Sequence, residues 1–152
     1  MELRPTPTDF LSRHHSSSAP LAQLVNQVQQ APNWQEKYRA LMLGGKALAP
    51  LSPEWQTEDA RVRGCESAAW LYHHGEQGKH YFIAGSEARI VTGLIALLLG
   101  ACSGKTSDEL AAFDAAAYFS ALGLEGQLSP SRTNGVYALA NRIKELSRED
   151  TP

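Results

Sequence analysis

The chain has 152 residues, with 14 Lys and Arg against 16 Asp and Glu, a net charge of −2 with His neutral. A hydrophobic share of 43% and a charged share of 20% suit one globular domain with a true core, and exclude wholesale disorder. The near-even charge excludes a nucleic-acid or anionic-membrane binder that works by bulk charge.

Residues 1–20 carry Pro5, Pro7 and Ser16-Ser17-Ser18 without an apolar signal-peptide core. They read as a flexible tail, followed by a single domain over residues 21–152. A first helix is predicted from Leu21 to Gln30, ended by Ala31-Pro32. A second opens at the cap Asn33, with Glu36 placed for a capping box, and stops at Gly44-Gly45. Ser52-Pro53 starts a short helix that runs to about Glu58.

The period then changes from 3.6 toward 2. Arg61-Val62-Arg63, Ala68 to His74 and Lys79 to Ala84 read as three short strands, the last two joined by a hairpin through Gly75-Glu76-Gln77-Gly78. Ser86-Glu87 is read as the cap of a helix so apolar around its circumference (Ile90, Val91, Leu94, Ile95, Leu97, Leu98) that it is the predicted central buried helix. Its run to Cys102 is too short for a membrane span. Thr106 with Glu109 caps a short helix, Ala115 to Leu122 forms another, and Ser129-Pro130 opens the last. Its stripe is Val136, Leu139, Ala140, Ile143 and Leu146. The pattern is α+β: a small three-stranded antiparallel sheet packed against helices.

Two cysteines are too few for a disulfide scaffold and lack zinc-site spacing, so free thiols in a reducing, cytoplasmic setting are expected. Cys65 lies in Gly64-Cys65-Glu66-Ser67, a predicted inter-strand turn where a thiol can be presented to a partner. Arg61 and Arg63 are close in sequence and Arg132 could approach in space. Positive charge would favour the reactive thiolate, whereas apolar burial would oppose it. The residues alone leave open whether Cys65 is a nucleophile or a small structural cysteine. Cys102, at the end of the apolar helix, reads as buried and inert, with a resolving thiol for Cys65 as the alternative.

Gly100-Ala101-Cys102-Ser103-Gly104-Lys105-Thr106 imitates a phosphate-binding loop, but it is one residue short between its glycines and follows a helix instead of a strand. His73 and His80 are predicted to oppose each other on a solvated sheet face, which is a poor metal site without further ligands. Neither a metal nor a cofactor is expected on this chain.

Several stretches, taken in order, resemble the SufE family of sulfur-acceptor proteins and its CsdE branch. They are Trp34-Gln35-Glu36-Lys37-Tyr38-Arg39, Gly45-Lys46, Val62 to Ser67 with Trp70-Leu71, Ser86 to Leu94, Gly104-Lys105-Thr106, and Leu128 to Arg132 with Gly135. The resemblance implies an IscU-like fold. It implies that Cys65 matches the acceptor cysteine, which takes persulfide sulfur from a PLP-dependent cysteine desulfurase of the SufS or CsdA kind. The chain would stimulate that enzyme and pass sulfur to a downstream recipient for iron–sulfur cluster assembly or a related transfer. It would perform no independent catalysis, and the PLP would belong to the partner.

Arg132 matches a family arginine expected near the thiol, and Glu87 an acidic position beside the partner-responsive loop. Arg63 is a further supporting candidate. A regulatory adaptor that carries no sulfur is the alternative. An IscU-like scaffold would need about four cluster ligands, which two cysteines do not supply. The sequence departs from the family pattern at Gly44, where Leu is common, and at Ala84-Gly85, which replaces Gly-Asp.

Overall fold

The computed structural model describes residues 4–65 and 67–149. Its elements are α1 (Pro7–Gln30), α2 (Trp34–Gly44), β1 (Ala69–Glu76), β2 (Lys79–Ser86), α3 (Arg89–Cys102), α4 (Ser107–Ala112), α5 (Ala115–Ala121) and α6 (Pro130–Glu149). Single 3-10 turns at Gly45–Ala47, Pro53–Trp55 and Glu58–Ala60 occupy the connection between α2 and β1. The fold is α+β, as the sequence pattern predicts.

α3 is the axis of the molecule. Ile90, Val91, the run from Gly93 to Leu99, and Cys102 are all buried, which removes nearly its whole surface from water. α1, α2, α6 and the β1–β2 hairpin surround it, contributing Leu24, Leu41, Leu139, Ile143, Leu71 and Phe82 to one continuous core. Each such side chain gains roughly 1.5–3 kcal/mol by leaving water. Local signals set several ends: the Asn33 side chain accepts from the Glu36 N–H at 2.9 Å, and Thr106 and Glu109 close a reciprocal capping box. The cap expected from Ser86-Glu87 is a correction, since α3 has Ala88 at its N-cap and no side-chain cap.

The sheet has two strands, and the expected third is a correction. Arg61–Arg63 is reduced to a single antiparallel bridge between Arg61 and Trp70, with the Val62 N–H donating to the Ala69 carbonyl at 2.9 Å. Gly64, at φ +86°, turns the chain away before a ladder can extend. The β1–β2 register pairs Ala69 with Ser86 and Glu76 with Lys79.

Alternation in this hairpin makes two apolar faces. Leu71, Phe82 and Ala84 face the main core, while Tyr72 and Ile83 join a second cluster with Phe10 and Ala60. That second face explains the other large correction. Residues 7–20, expected within a flexible tail, are the first half of α1. Thr6 and Asp9 form its capping box with Pro7 just inside the helix, and Phe10 is buried against the outer face of the sheet. Pro20 lies inside α1, where it forgoes a helical hydrogen bond. Burial of Phe10, Leu21, Leu24 and Val28 along one side outweighs that local preference.

The solvated histidine face is likewise overturned. His73 and His80 are diagonal neighbours on the core side, since His73 pairs with Phe82 and His80 with Gly75. His80 is fully buried, its Nδ1 2.7 Å from His73 Nε2 and its Nε2 2.7 Å from Ser107 Oγ. Its backbone also exchanges hydrogen bonds with Lys105 and Gly104, so the hairpin is fastened to the α3–α4 turn. The loop-like Gly100–Thr106 stretch therefore closes α3 and leads into the cap of α4.

Candidate functional site

Cys65 sits on the short loop between Val62 and Ala69, and both ends of that loop are held. The Val62–Ala69 hydrogen bond closes its base. At the exit, the Ala68 carbonyl accepts from Ser86 Oγ at 2.7 Å and from the Glu87 N–H at 3.1 Å, while the Ala68 N–H donates to Glu87 Oε1 at 3.3 Å. Glu87 is thus joined to the loop through its backbone and its carboxylate. Between these anchors, Gly64 takes its left-handed conformation beside Ala138 of α6. A Cβ added at Gly135 would lie 3.0 Å from Cys65 Sγ, so the thiol rests on α6 where a side chain is missing.

The thiol is half-buried and borders a cavity of about 310 Å³. Ser67 of the loop, Val91 of α3, and Ser129, Ser131, Arg132 and Gly135 at the start of α6 complete its lining. The structure therefore brings Cys65 and Arg132 to one cavity. Glu87 holds the loop from outside it, and Arg63 does not approach the thiol. The Arg63 side chain is 86% exposed, lies 3.9 Å from Glu58 and is not part of the cavity lining.

Burial pushes the Cys65 thiol above its ordinary value. The Ser67 backbone N–H and the Arg61 charge act against that shift and do not cancel it. The resting group is a protonated thiol with a thiolate-favouring frame around it, and the 20-residue α6 adds the positive end of its dipole. The contest between charge and burial is decided in favour of burial for the free chain.

Cys102 is wholly buried, and its thiol is pushed up to about 12 by burial. Val91, which borders the Cys65 cavity, lies eleven residues before Cys102 on α3, about 16 Å along the axis. A resolving partnership between the two thiols does not fit that separation. Both cysteines are free, and no group of three or more potential metal ligands occurs among the described residues.

Sequence reading singled out Cys65, Arg132 and Glu87 but not Val91, Ser129, Ser131 or Gly135 as parts of one site. The available signal was Gly135, an isolated glycine inside a helical pattern, which usually marks a close approach. The departures from the family pattern also acquire a physical setting. Gly44 packs under Leu24, and a Cβ at Gly85 would lie 2.9 Å from Leu51 Cβ.

Residues 22–147 match the family model of SufE, described as an Fe-S metabolism associated domain. The chain is 44% identical over 117 residues to the sulfur acceptor protein CsdE of Escherichia coli, covering 76% of this chain and 80% of that protein. An uncharacterized SufE-like protein of Haemophilus influenzae is 35% identical over 124 residues, with 81% and 98% covered. The solution structure of a hypothetical protein from Thermus thermophilus superposes with a TM-score of 0.67 at 20% identity, over 87% of this chain and 96% of that one. At that identity the last likeness concerns the fold alone.

Proposed function

The chain belongs to the SufE family, and from that premise we propose that it is a sulfur acceptor and relay whose acceptor is Cys65. The donor is the persulfide of a PLP-dependent cysteine desulfurase, and the PLP stays with that partner. The observation that carries the reading is the Cys65 thiol on an anchored loop, beside a cavity with room for one more sulfur atom and shared with Arg132.

In the transfer, the Cys65 thiolate attacks the outer sulfur of the desulfurase persulfide. The donor S–S bond breaks, the desulfurase cysteine leaves as a thiolate, and the proton released by Cys65 replaces the one that group requires. One thiol and one persulfide exchange roles, so no oxidant is consumed. Arg132, the Ser67 N–H and the start of α6 stabilise the anion. The raised thiol of the resting chain keeps Cys65 unreactive until docking moves the loop, and Glu87 at Ala68 is where the partner would release it. Reduced thiols of this kind suit the cytoplasm.

Incubation with a CsdA-like desulfurase and cysteine, followed by intact-mass measurement, tests this directly. One added sulfur atom on the wild type and none on Cys65→Ser is expected. Full stimulation of the desulfurase by Cys65→Ser, with no adduct on the wild type, would replace the relay with a non-carrying adaptor.

A further inference from the structure

A second cleft, of about 810 Å³, lies between the Asp59–Arg63 segment, β1 and α6. Four arginines line it, Arg4, Arg61, Arg63 and Arg142, against two acids, Asp59 and Glu145, and no lysine. Among the described lining residues four positive groups face two negative ones, and three once Glu58 beside Arg63 is counted, so the cleft keeps a positive surplus in a chain whose total is −2. Among the described residues, Arg63 pairs with Glu58 at 3.9 Å and Arg142 with Glu145 at 3.4 Å; both are surface pairs, and such pairs exchange partners at little cost. Guanidinium groups bind carboxylates through two parallel hydrogen bonds, which a lysine cannot do.

The cleft neighbours the Cys65 site along α6. Along α6, Gly135 supports the thiol, Ala138 supports Gly64, and Arg142 and Glu145 border the cleft, so one helix face carries both. Gly135 and Arg142 are about 10 Å apart along the axis. Val62 and Arg63 line the cleft and lead directly into Gly64-Cys65.

We propose that this cleft docks an acidic polypeptide segment of the desulfurase, an inference that rests on the sulfur-relay reading and adds to it where the partner is held. Carboxylates seated there place the donor enzyme beside the loop and load Arg61 and Arg63, the residues that lead into Cys65. Charge complementarity of this kind acts on encounter rate and register, and it weakens with salt.

The test measures binding of the purified CsdA-like desulfurase, in its PLP form, to the full chain across a range of ionic strength. Arg142→Glu and Arg4→Glu should each weaken binding at least about tenfold and flatten its salt dependence. Arg148→Glu, an equal charge change on α6 outside the cleft, should stay within about twofold of wild type. Arg142→Lys should fall between. Unchanged far-ultraviolet dichroism and an unchanged rate of Cys65 alkylation in the free variants establish that fold and thiol are intact. If Arg142→Glu and Arg4→Glu bind like wild type while wild type binds and accepts sulfur, the cleft proposal is overturned and the relay stands. An equal loss in Arg148→Glu would overturn it in favour of bulk charge. Absence of wild-type binding would remove the relay and the cleft together.

Discussion

Cys65 and Cys102 carry the same side chain into two different physical settings. Cys65 lies on a loop held at both ends, half-buried, with Arg132, Ser67 and the first turns of α6 around it. Cys102 is the last residue of the most buried helix, with no exposure and a thiol pushed up to about 12. Burial raises both thiols and nearby groups oppose it at both, the Ser67 N–H and Arg61 at Cys65 and Lys144 and Lys105 at Cys102, but only Cys65 is half-exposed and borders open volume. What separates the proposed carrier cysteine from the packing cysteine is therefore chiefly access. A reactive thiol must be both reachable and able to hold negative charge.

The sharpest way to break the comparison is to exchange roles. Cys65→Ser should lose all sulfur uptake, while Cys102→Ala should retain it and unfold more easily by about 1 kcal/mol; mass spectrometry and denaturant titration measure the two effects. Next comes alkaline stability. Folded Cys102 keeps its proton to about 12, whereas the unfolded thiol loses it near 9.0. Above 9.0 the unfolded state binds fewer protons, so this contribution is complete below that pH and is lost as pH rises toward 12. Wild type should lose up to about 1.4 kcal/mol per pH unit there, relative to Cys102→Ala, in thermal or urea unfolding.

If Arg132 acts from the shared cavity as proposed, Arg132→Ala should slow sulfur uptake by about tenfold with little change in stability. Single-turnover transfer kinetics would show it, and an unchanged rate would place Arg132 outside the chemistry. The smallest effect is expected from Gly135→Ala. Alanine in a helix interior gains about 1 kcal/mol over glycine, but here its Cβ would press on Cys65 Sγ at 3.0 Å. Alkylation of the free protein should accelerate a fewfold as the thiol is displaced, while unfolding free energy stays within about 1 kcal/mol of wild type.

Much of this was legible locally. Asn33, Thr106 and Ser129-Pro130 mark helix starts through groups that act within three residues of themselves, and the apolar circumference of α3 announces its burial. The hairpin was readable for the same reason. What went astray depended on contacts distant in sequence. Thr6-Pro7-Thr8-Asp9 is a competent helix start, but a helix through Pro20 becomes favourable only when Phe10 packs on the outer face of the hairpin and Leu21, Leu24 and Val28 enter the main core. Arg61–Arg63 has strand-like composition, yet Gly64 allows one bridge and no more. His80 reads as a surface histidine until the α3–α4 turn folds over it.

By itself, the amino-acid sequence determined the starts of α2, α4 and α6, the alternation of the hairpin and the placement of Cys65 on a loop, because each rests on short-range sterics, hydrogen bonding or residue chemistry. The family membership was already suggested by stretches distributed along the chain. Tertiary structure decided the state of the Cys65 thiol, the assignment of Arg132 to its cavity and Arg63 to the neighbouring cleft, and the conversion of the expected tail into a helix. Those outcomes depend on burial and on through-space charge, which are properties of the packed chain and vanish when it is extended.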